Sequence, residues 1–480
     1  MIEKRIADFL LIEYEKRILI FDFDKFNQIF NYPRFLSSKG FEVIFYKDVE
    51  ELRFKYETDI KNSDSKYAII VQVDIYVPYD IRRRFYEIEI NLKNLFPKLN
   101  ANIVSKYIKD IDLISYAYDD LYIDYESEEE SERFLREVVF TKNNIENYCK
   151  ILLNNILSDK DPLNITYKEW IDIAKLKSRV DYYNTLINGN IDTSFINHEF
   201  EKFVINNYQK LSQESDKEFP VILPKVLDFI TKDKTALIVL DGMSLFDFEI
   251  ISRSLQIEYE YNCSYALIPT TTSISRQSLL SGKYPRELSN PFNLKDEEKN
   301  FYIALNERGF DKDNILYHKG YDPDLSYSTK FLAIVINDID DLVHNQTQGR
   351  LGMYNDLKLW IKSGKLINLL HDLFKRGYEI YITSDHGNTP CVGVGLLRNM
   401  GVEVETRSKR MLVLKDFGDI KDTFSDKVIS YPGYYLDKTY KYYICKSGIS
   451  FDNKNEEVIT HGGITIDEVI VPFIKVKAVE

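Results

Sequence analysis

The chain is poor in histidine, tryptophan and cysteine, with six, two and four copies in 480 residues. Cys149, Cys263, Cys391 and Cys445 lie far apart, and none forms a Cys-x-x-Cys pair. That removes the thiolate class of metal and redox motifs and leaves free, mostly buried thiols in a reducing compartment as the expectation. Basic runs are also missing: no stretch of five or more Lys/Arg occurs, and the formal net charge is −13. An acidic chain is not steered onto nucleic acid by its overall field. A local basic groove stays open, so duplex DNA is disfavoured without being excluded. No apolar run reaches the length of a membrane span. The amino-terminal stretch MIEKRIADFLLIEYEKRILIF is broken by charges and has no signal-like apolar core or small-residue cleavage site. A cytoplasmic protein without membrane contact is expected.

Apolar and aromatic residues are plentiful. A hydrophobic fraction of 44% suffices for real cores, and the length suggests about three domains. The 35 Tyr and 29 Phe rise together with Ile, Lys and Asn, which reads as nucleotide bias ahead of a base-stacking surface.

Residues 1–135 read as a small α/β domain. Apolar runs at 17–23 (RILIFDF), 41–47 (FEVIFYK) and 67–74 (YAIIVQVD) alternate with helix-like stretches such as 48–58, which favours a parallel sheet. Asp22 and Asp24 fit an acidic metal pair or, preferably, strand-end carboxylates. The acidic stretch 119–132 reads as a solvated loop leading into a helix N-terminus. Residues 136–231 read as a helical linker domain, with apolar residues at three- and four-residue spacing over 145–157, 167–186, 195–211 and 224–231. The third region, 232–480, alternates strands and helices again, with runs at 236–240 (ALIVL), 331–336 (FLAIVI), 379–383 (EIYIT) and 468–476.

Half of the scarce histidines sit in this third region beside carboxylates or glycine pairs. They are His344 in Asp340-Asp341-Leu342-Val343-His344, His386 in Asp385-His386-Gly387, and His461 in His461-Gly462-Gly463. Asp241-Gly242 and Thr270-Thr271-Thr272 likewise follow apolar runs. Imidazole, carboxylate and hydroxyl without thiolate is the ligand mix of a hydrolytic metal centre. In an open parallel sheet, ligands bind beyond the carboxyl ends of the strands. If the strands ending before Asp241, Asp340 and Asp385 are neighbours, their acids converge on one rim. Taken singly, Asp241-Gly242 is more often a turn, His344 a surface residue and the Thr run a strand or a cap. His198, His318 and His371 lack such neighbours and read as structural.

The ordered set resembles the alkaline phosphatase superfamily and, within it, the PglZ-domain family. The matching residues are Leu240-Asp241-Gly242-Met243-Ser244, Pro269 to Arg276, Asp340 to His344, Ser384-Asp385-His386-Gly387, and Thr460-His461-Gly462-Gly463 with Val469-Ile470-Val471-Pro472. The resemblance covers about half of the chain. It implies an alkaline-phosphatase-like α/β domain with a central, mostly parallel sheet. It also implies two metal ions flanking a nucleophilic hydroxyl, with zinc the expected metal and manganese or magnesium as alternatives. By position, Asp241, Thr272, Asp385 and His386 would hold one ion, and Asp340, His344 and His461 the other. Thr272 matches the nucleophile, being third after Pro269 and four before Arg276. Thr271 is the adjacent register, and both stay open here.

Elementary chemistry supports those roles. Contact with a divalent cation lowers the pKa of a threonine hydroxyl, and a second ion about 4 Å away stabilises the leaving or non-bridging oxygen. Asp340 and His344, at i and i+4, share one side of a helical turn. Gly387 lets the backbone bend away, and Gly462-Gly463 would let main chain approach a phosphate. Arg276 either touches phosphate or pairs with an acid and braces its helix. Lys409 and Arg410, in the basic stretch Arg407-Ser408-Lys409-Arg410, are further phosphate candidates, with a solvated basic strand as the alternative.

PglZ domains are associated with bacterial phage-defence loci of the BREX type and with some signalling regulators. The reading is therefore a two-metal phosphodiesterase or phosphatase acting on nucleotide or oligonucleotide phosphoesters, with other defence proteins as partners. A weakly catalytic or non-catalytic scaffold is the alternative, against which the complete ligand set argues. A monoesterase or sulfatase of small molecules is a third reading. Threonine at the nucleophile position argues against a sulfatase.

Overall fold

The structure is a computed structural model and describes residues 1–479 except 120, 122, 155, 157–160, 231, 233, 256, 396–407 and 416–425. Asp120 and Tyr122 of the acidic stretch, Arg407 of the basic stretch, and positions 155, 157 and 231 of two expected helices lie outside the described residues. The chain divides into two units, Met1–Tyr148 and Cys149–Glu480.

The first unit carries four strands: β1 (Arg17–Phe21), β2 (Phe41–Phe45), β3 (Lys66–Val71) and β4 (Tyr86–Glu89). They lie in the order β2-β3-β1-β4, and every pairing is parallel. The strands end earlier than the apolar runs suggested because polar groups take over the chain. Asp22 is fully buried and accepts hydrogen bonds from the N–H groups of Phe26 (2.5 Å) and Asn27 (3.0 Å) and from the Tyr32 hydroxyl (2.9 Å). It is a cap at a strand end, with its acceptor capacity already engaged. Strand β4, short and alternating in exposure, was missed by the sequence reading.

The second unit opens with helices. Tyr167–Leu186 starts at a capping box between Thr166 and Glu169, and Ser194–Asn207 follows. Trp170, Phe200, Phe203 and Tyr208 share one core with Leu237, Val239 and Phe473 of the sheet beyond. From Cys149 onward, the helical stretch expected as a linker thus belongs to the same unit as that sheet. At roughly 1.5–3 kcal/mol for each fully buried large side chain, this shared core is a major part of the unit's stability.

The main sheet has six strands: β5 (Thr235–Leu240), β6 (Ile257–Tyr265), β7 (Ile315–Lys319), β8 (Phe331–Ile336), β9 (Glu379–Thr383) and β16 (Ile470–Val479), in the order β6-β16-β9-β5-β8-β7. Strand β5 pairs in parallel with β8 and β9, and β7 pairs in parallel with β8. Strand β16 runs antiparallel to both β6 and β9. The sheet is therefore mixed but largely parallel. Strands β5 and β8 are buried at every residue, which is why their sequences are continuous apolar runs without alternation. Between β9 and β16, two small sheets form: β14 (Ile449–Ser450), β10 (Thr389–Gly393) and β15 (Glu457–Thr460) in one, and β11 (Met411–Lys415), β13 (Tyr440–Cys445) and β12 (Val428–Tyr431) in the other.

The expected strand at 468–476 begins later. Thr465 and Glu468 form a capping box that turns Ile466–Val469 into one helical turn before β16 starts at Ile470. Among the described residues, no helix is long and apolar enough to cross a membrane.

Candidate metal centre

The topology delivers chemistry to one rim. Strand β5 lies between β9 and β8, so Asp241, Asp385 and the segment leading to Asp340 leave three adjacent parallel strands at their carboxyl ends. Strand β6 points the same way and leads into Thr270–Thr272. Strand β16 runs oppositely, so its amino end lies on this rim and His461 arrives just before it.

Two groups of ligand atoms result. Asp340, His344 and His461 form one, and Asp241, Asp385 and His386 the other; within each, the ligand atoms lie within 4.8 Å of one another. In the first, His344 Nε2 is 3.3 Å from Asp340 Oδ2 and 3.3 Å from His461 Nε2. In the second, His386 Nε2 is 3.7 Å from both Asp241 Oδ1 and Asp385 Oδ2. The groups are adjacent, since the His386 and His461 rings stack with centroids 4.1 Å apart. Gly242 closes the turn after β5 with φ +75°, where a Cβ would sit 3.2 Å from Asp340 Oδ1.

The hydrogen bonding tests whether these residues fit a cation. His386 Nδ1 lies 3.0 Å from the Gly387 carbonyl, and His461 Nδ1 lies 3.0 Å from the Thr270 carbonyl. A carbonyl only accepts, so in each neutral ring Nδ1 carries the proton and Nε2 presents its lone pair to the centre. Facing those lone pairs, Asp241 Oδ1, Asp340 Oδ1 and Asp385 Oδ2 are buried and make no hydrogen bond. Buried acceptors turned toward one another need a cation between them. The donor set fits two divalent ions bound through nitrogen and oxygen.

The electrostatics agree. Burial, then the nearby Asp385, pushes the Asp241 carboxyl well above the usual range, against the pull of Arg276. Burial also lifts Asp385 to about 6. At Asp340, burial is outweighed by the His344 hydrogen bond and the charges of His461 and His386, which hold it below the usual range. His344 is raised by its Asp340 partner. Burial and the neighbouring imidazoles lower His461 to about 3, which keeps it a neutral ligand.

Thr272 begins the helix Thr272–Ser281, and its hydroxyl lies 3.0 Å from His386 Nε2. The Thr271 hydroxyl instead faces Ser273 Oγ at 3.5 Å. The three cations named as phosphate contacts divide. Arg276 is 2% exposed and is shared between Asp241 and Glu297 (2.8 Å). Arg410 is fully buried against Glu468. Neither guanidinium is open to a substrate, because each answers a buried acid. Lys409 alone reaches solvent, 56% exposed and paired with Asp452, and its charge acts on His344. The glycine pair is closely packed. A Cβ on Gly462 would meet Ser408, and one on Gly463 would meet Arg410, so the missing side chains make room for packing. Sequence reasoning missed Glu468, which accepts the Gly463 N–H at 2.7 Å. Its signal was present as the Thr-x-x-Glu spacing of Thr465 and Glu468.

Residues 223–476, more than half of the chain, match the family described as the BREX system PglZ alkaline phosphatase-like domain. The chain belongs to the PglZ family. Comparison with curated proteins gave no match. Among solved structures, murine ectonucleotide pyrophosphatase/phosphodiesterase 5 is similar at 13% identity, over 50% of this chain and 87% of its own, with a TM-score of 0.36. Phosphonoacetate hydrolase from Sinorhizobium meliloti 1021 is similar at 12% identity, over 51% and 89%, with a TM-score of 0.33. Within the PglZ domain, both ligand groups and the Thr270–Thr272 run fall inside the matched residues.

Proposed function

We propose that this PglZ domain is a two-metal phosphoester hydrolase, with Thr272 as nucleophile, acting on nucleotide or short single-stranded phosphodiesters within a BREX-type phage-defence system. The observation that carries this reading is the pair of adjacent Asp/His groups whose inward carboxylate oxygens make no hydrogen bond, with one threonine hydroxyl beside them.

Bound zinc, or manganese or magnesium in its place, would supply Lewis acidity to the phosphoester and lower the pKa of a hydroxyl held beside it. Asp241, Asp385 and His386 would hold one ion, with the Thr272 oxygen as a further donor, and Asp340, His344 and His461 the other. The Thr272 hydroxyl proton has an acceptor at His386 Nε2 in the metal-free protein. The N–H groups of Thr272 and Ser273, at the start of the helix Thr272–Ser281, would be open to a non-bridging phosphate oxygen. Arg276 fixes Asp241 through its Oδ2 and leaves Oδ1 for the centre. Lys409 sits at the exposed side as a contact for the phosphate or the next phosphate along a strand.

The net charge of −13 favours small or single-stranded substrates over long duplex for the isolated chain. The test is elemental analysis of chelator-free protein together with turnover of bis-nitrophenyl phosphate, a dinucleotide, a short single strand and a linear duplex at one salt concentration. One to two ions per chain and preferential turnover of the small diesters are expected. Protein that neither carries nor takes up zinc or manganese, or that prefers intact duplex, overturns the reading.

A further inference from the structure

We propose that the buried Arg410–Glu468 ion pair is a positioning device: through Thr270 and the Gly462-Gly463 turn it fixes the tautomer and place of His461 and the segment carrying Thr272. The pair itself is read from contacts, while its role toward a metal rests on the function proposed above.

Glu468 reaches three segments of the rim at once. Its Oε1 accepts the Gly463 N–H at 2.7 Å and lies 3.4 Å from the Thr270 hydroxyl. Its Oε2 accepts the Thr465 N–H at 3.1 Å, the Thr465 hydroxyl at 2.6 Å, and the Arg410 guanidinium. Its backbone carbonyl accepts the Gly387 N–H at 2.9 Å, next to His386. Thr270 completes the link. Its hydroxyl accepts the Gly462 N–H at 3.0 Å and donates to the Gly463 carbonyl at 3.1 Å. Its own carbonyl accepts from His461 Nδ1 at 3.0 Å. One chain of contacts therefore runs from Arg410 through Glu468 and Thr270 to the ring of His461, and Thr270 stands two residues before Thr272.

Arg410 cannot serve substrate from where it lies. Both partners of the pair have zero side-chain exposure. Its remaining donors go to the carbonyls of Ile449 (3.1 Å) and Lys446 (3.2 Å). A Cβ on Gly463 would lie 2.7 Å from the Arg410 guanidinium carbon, and one on Gly462 would lie 1.6 Å from Ser408 Oγ. Ser408 in turn donates to the His461 carbonyl at 3.0 Å. A buried ion pair is poor value for stability alone, since apolar side chains of equal volume often do as well. What this pair supplies is a fixed arrangement of acceptors, which leaves His461 Nε2 free for the centre.

The test uses the full chain with isotope-labelled histidine, where six histidines keep the ring-nitrogen spectrum assignable. In metal-free parent protein, His461 is expected as the neutral ring protonated at Nδ1. Glu468→Gln and Thr270→Val should each give a mixed tautomer. In an Asp385→Ala background, where only the His461 group keeps all its ligands, both should weaken zinc binding by about 10–100-fold. Arg410→Lys, which keeps the charge opposite Glu468, should stay close to the parent. A parent-like tautomer and affinity in either soluble variant overturns the proposal, as does a lowered melting temperature with an unchanged tautomer. If Glu468→Gln fails to fold, Thr270→Val decides alone, since it leaves the ion pair intact. A parent that binds no zinc sinks the function proposed above, while the tautomer comparison still decides the positioning role.

Discussion

Replacing Asp385 by asparagine should make the metal-free protein more stable while destroying one metal site. Asp385 is fully buried, and burial lifts its carboxyl to about 6. In the unfolded chain an aspartate ionises near 3.9, so the ionised group costs about 3 kcal/mol of stability at neutral pH. Between these two values the native state holds the proton and the unfolded state does not. The contribution of Asp385 to the stability of the metal-free parent therefore falls as pH rises from about 4 to about 6, then levels. Asparagine fits the site. Its carbonyl oxygen can keep the bonds that Asp385 Oδ1 accepts from the N–H groups of Gly242 (3.2 Å) and His386 (3.1 Å). Its amide nitrogen would replace Oδ2, which is buried without a hydrogen bond 3.7 Å from His386 Nε2, and offer a donor on that side. One kcal/mol moves a domain of 150–250 residues by roughly 2–4 °C, and a larger unit by less, so a rise of a few degrees is expected. Zinc at about one thousand times its Kd would reverse the order, since it adds about 4.1 kcal/mol to the parent against the roughly 3 kcal/mol that ionised Asp385 costs. The assay is thermal unfolding of chelated parent and Asp385→Asn protein from pH 4 to 8, repeated with zinc. The two metal-free curves should converge near pH 4 and separate above pH 6. A chelated variant that melts no higher than the parent at pH 7 refutes the argument that these carboxylates await a cation.

Thr272→Ala should abolish phosphoester hydrolysis while retaining at least one bound ion by elemental analysis, and Thr271→Ala should be mild. The reverse pattern would move the nucleophile by one residue. Lys409→Ala should raise KM about tenfold with kcat nearly unchanged, as expected for loss of a contact made equally in ground and transition states; an equal fall in kcat and kcat/KM counts against this. Arg276→Leu strands Asp241 and Glu297 as unpaired buried acids and should cost about 3–5 kcal/mol in urea unfolding. Adding Glu297→Gln should recover part of that loss, and a double variant no better than the single one would refute the bridging role.

The ligands were legible because they sit where strand physics puts them. Six-residue apolar runs such as Thr235–Leu240 and Phe331–Ile336 read as fully buried strands, and polar residues just beyond them had to lie on a rim. Adjacency of those strands was an assumption that the pairing of β5 with β8 and β9 bore out. Arg276 was legible as a phosphate contact or an acid partner, the second being what it is, whereas the fate of Arg410 was not legible, because its partner stands 58 residues away. A guanidinium beside a candidate site looks the same in sequence whether it meets phosphate or a buried acid. Strand β6 escaped notice because its first half alternates in exposure and carries Glu258 and Glu260. Glu468 was read into a strand, although its spacing from Thr465 is that of a helix cap.

Strand β16 alone joins β6 to the rest of the main sheet. Its pairing with β6 closes a loop of more than two hundred residues, from Tyr265 to Ile470, and such distant contacts form late in folding. Until β16 inserts, β6 has no neighbour in this sheet, and the Thr270–Thr272 segment that follows it hangs from an unpaired edge. The same insertion brings His461 to the rim. Two ingredients of the chemistry thus depend on the same strand insertion, and a chain in which it has not happened would lack both even with Asp241, Asp385 and His386 in place. For a domain proposed to hydrolyse phosphodiesters, hydrolytic power would switch on only with the completed fold.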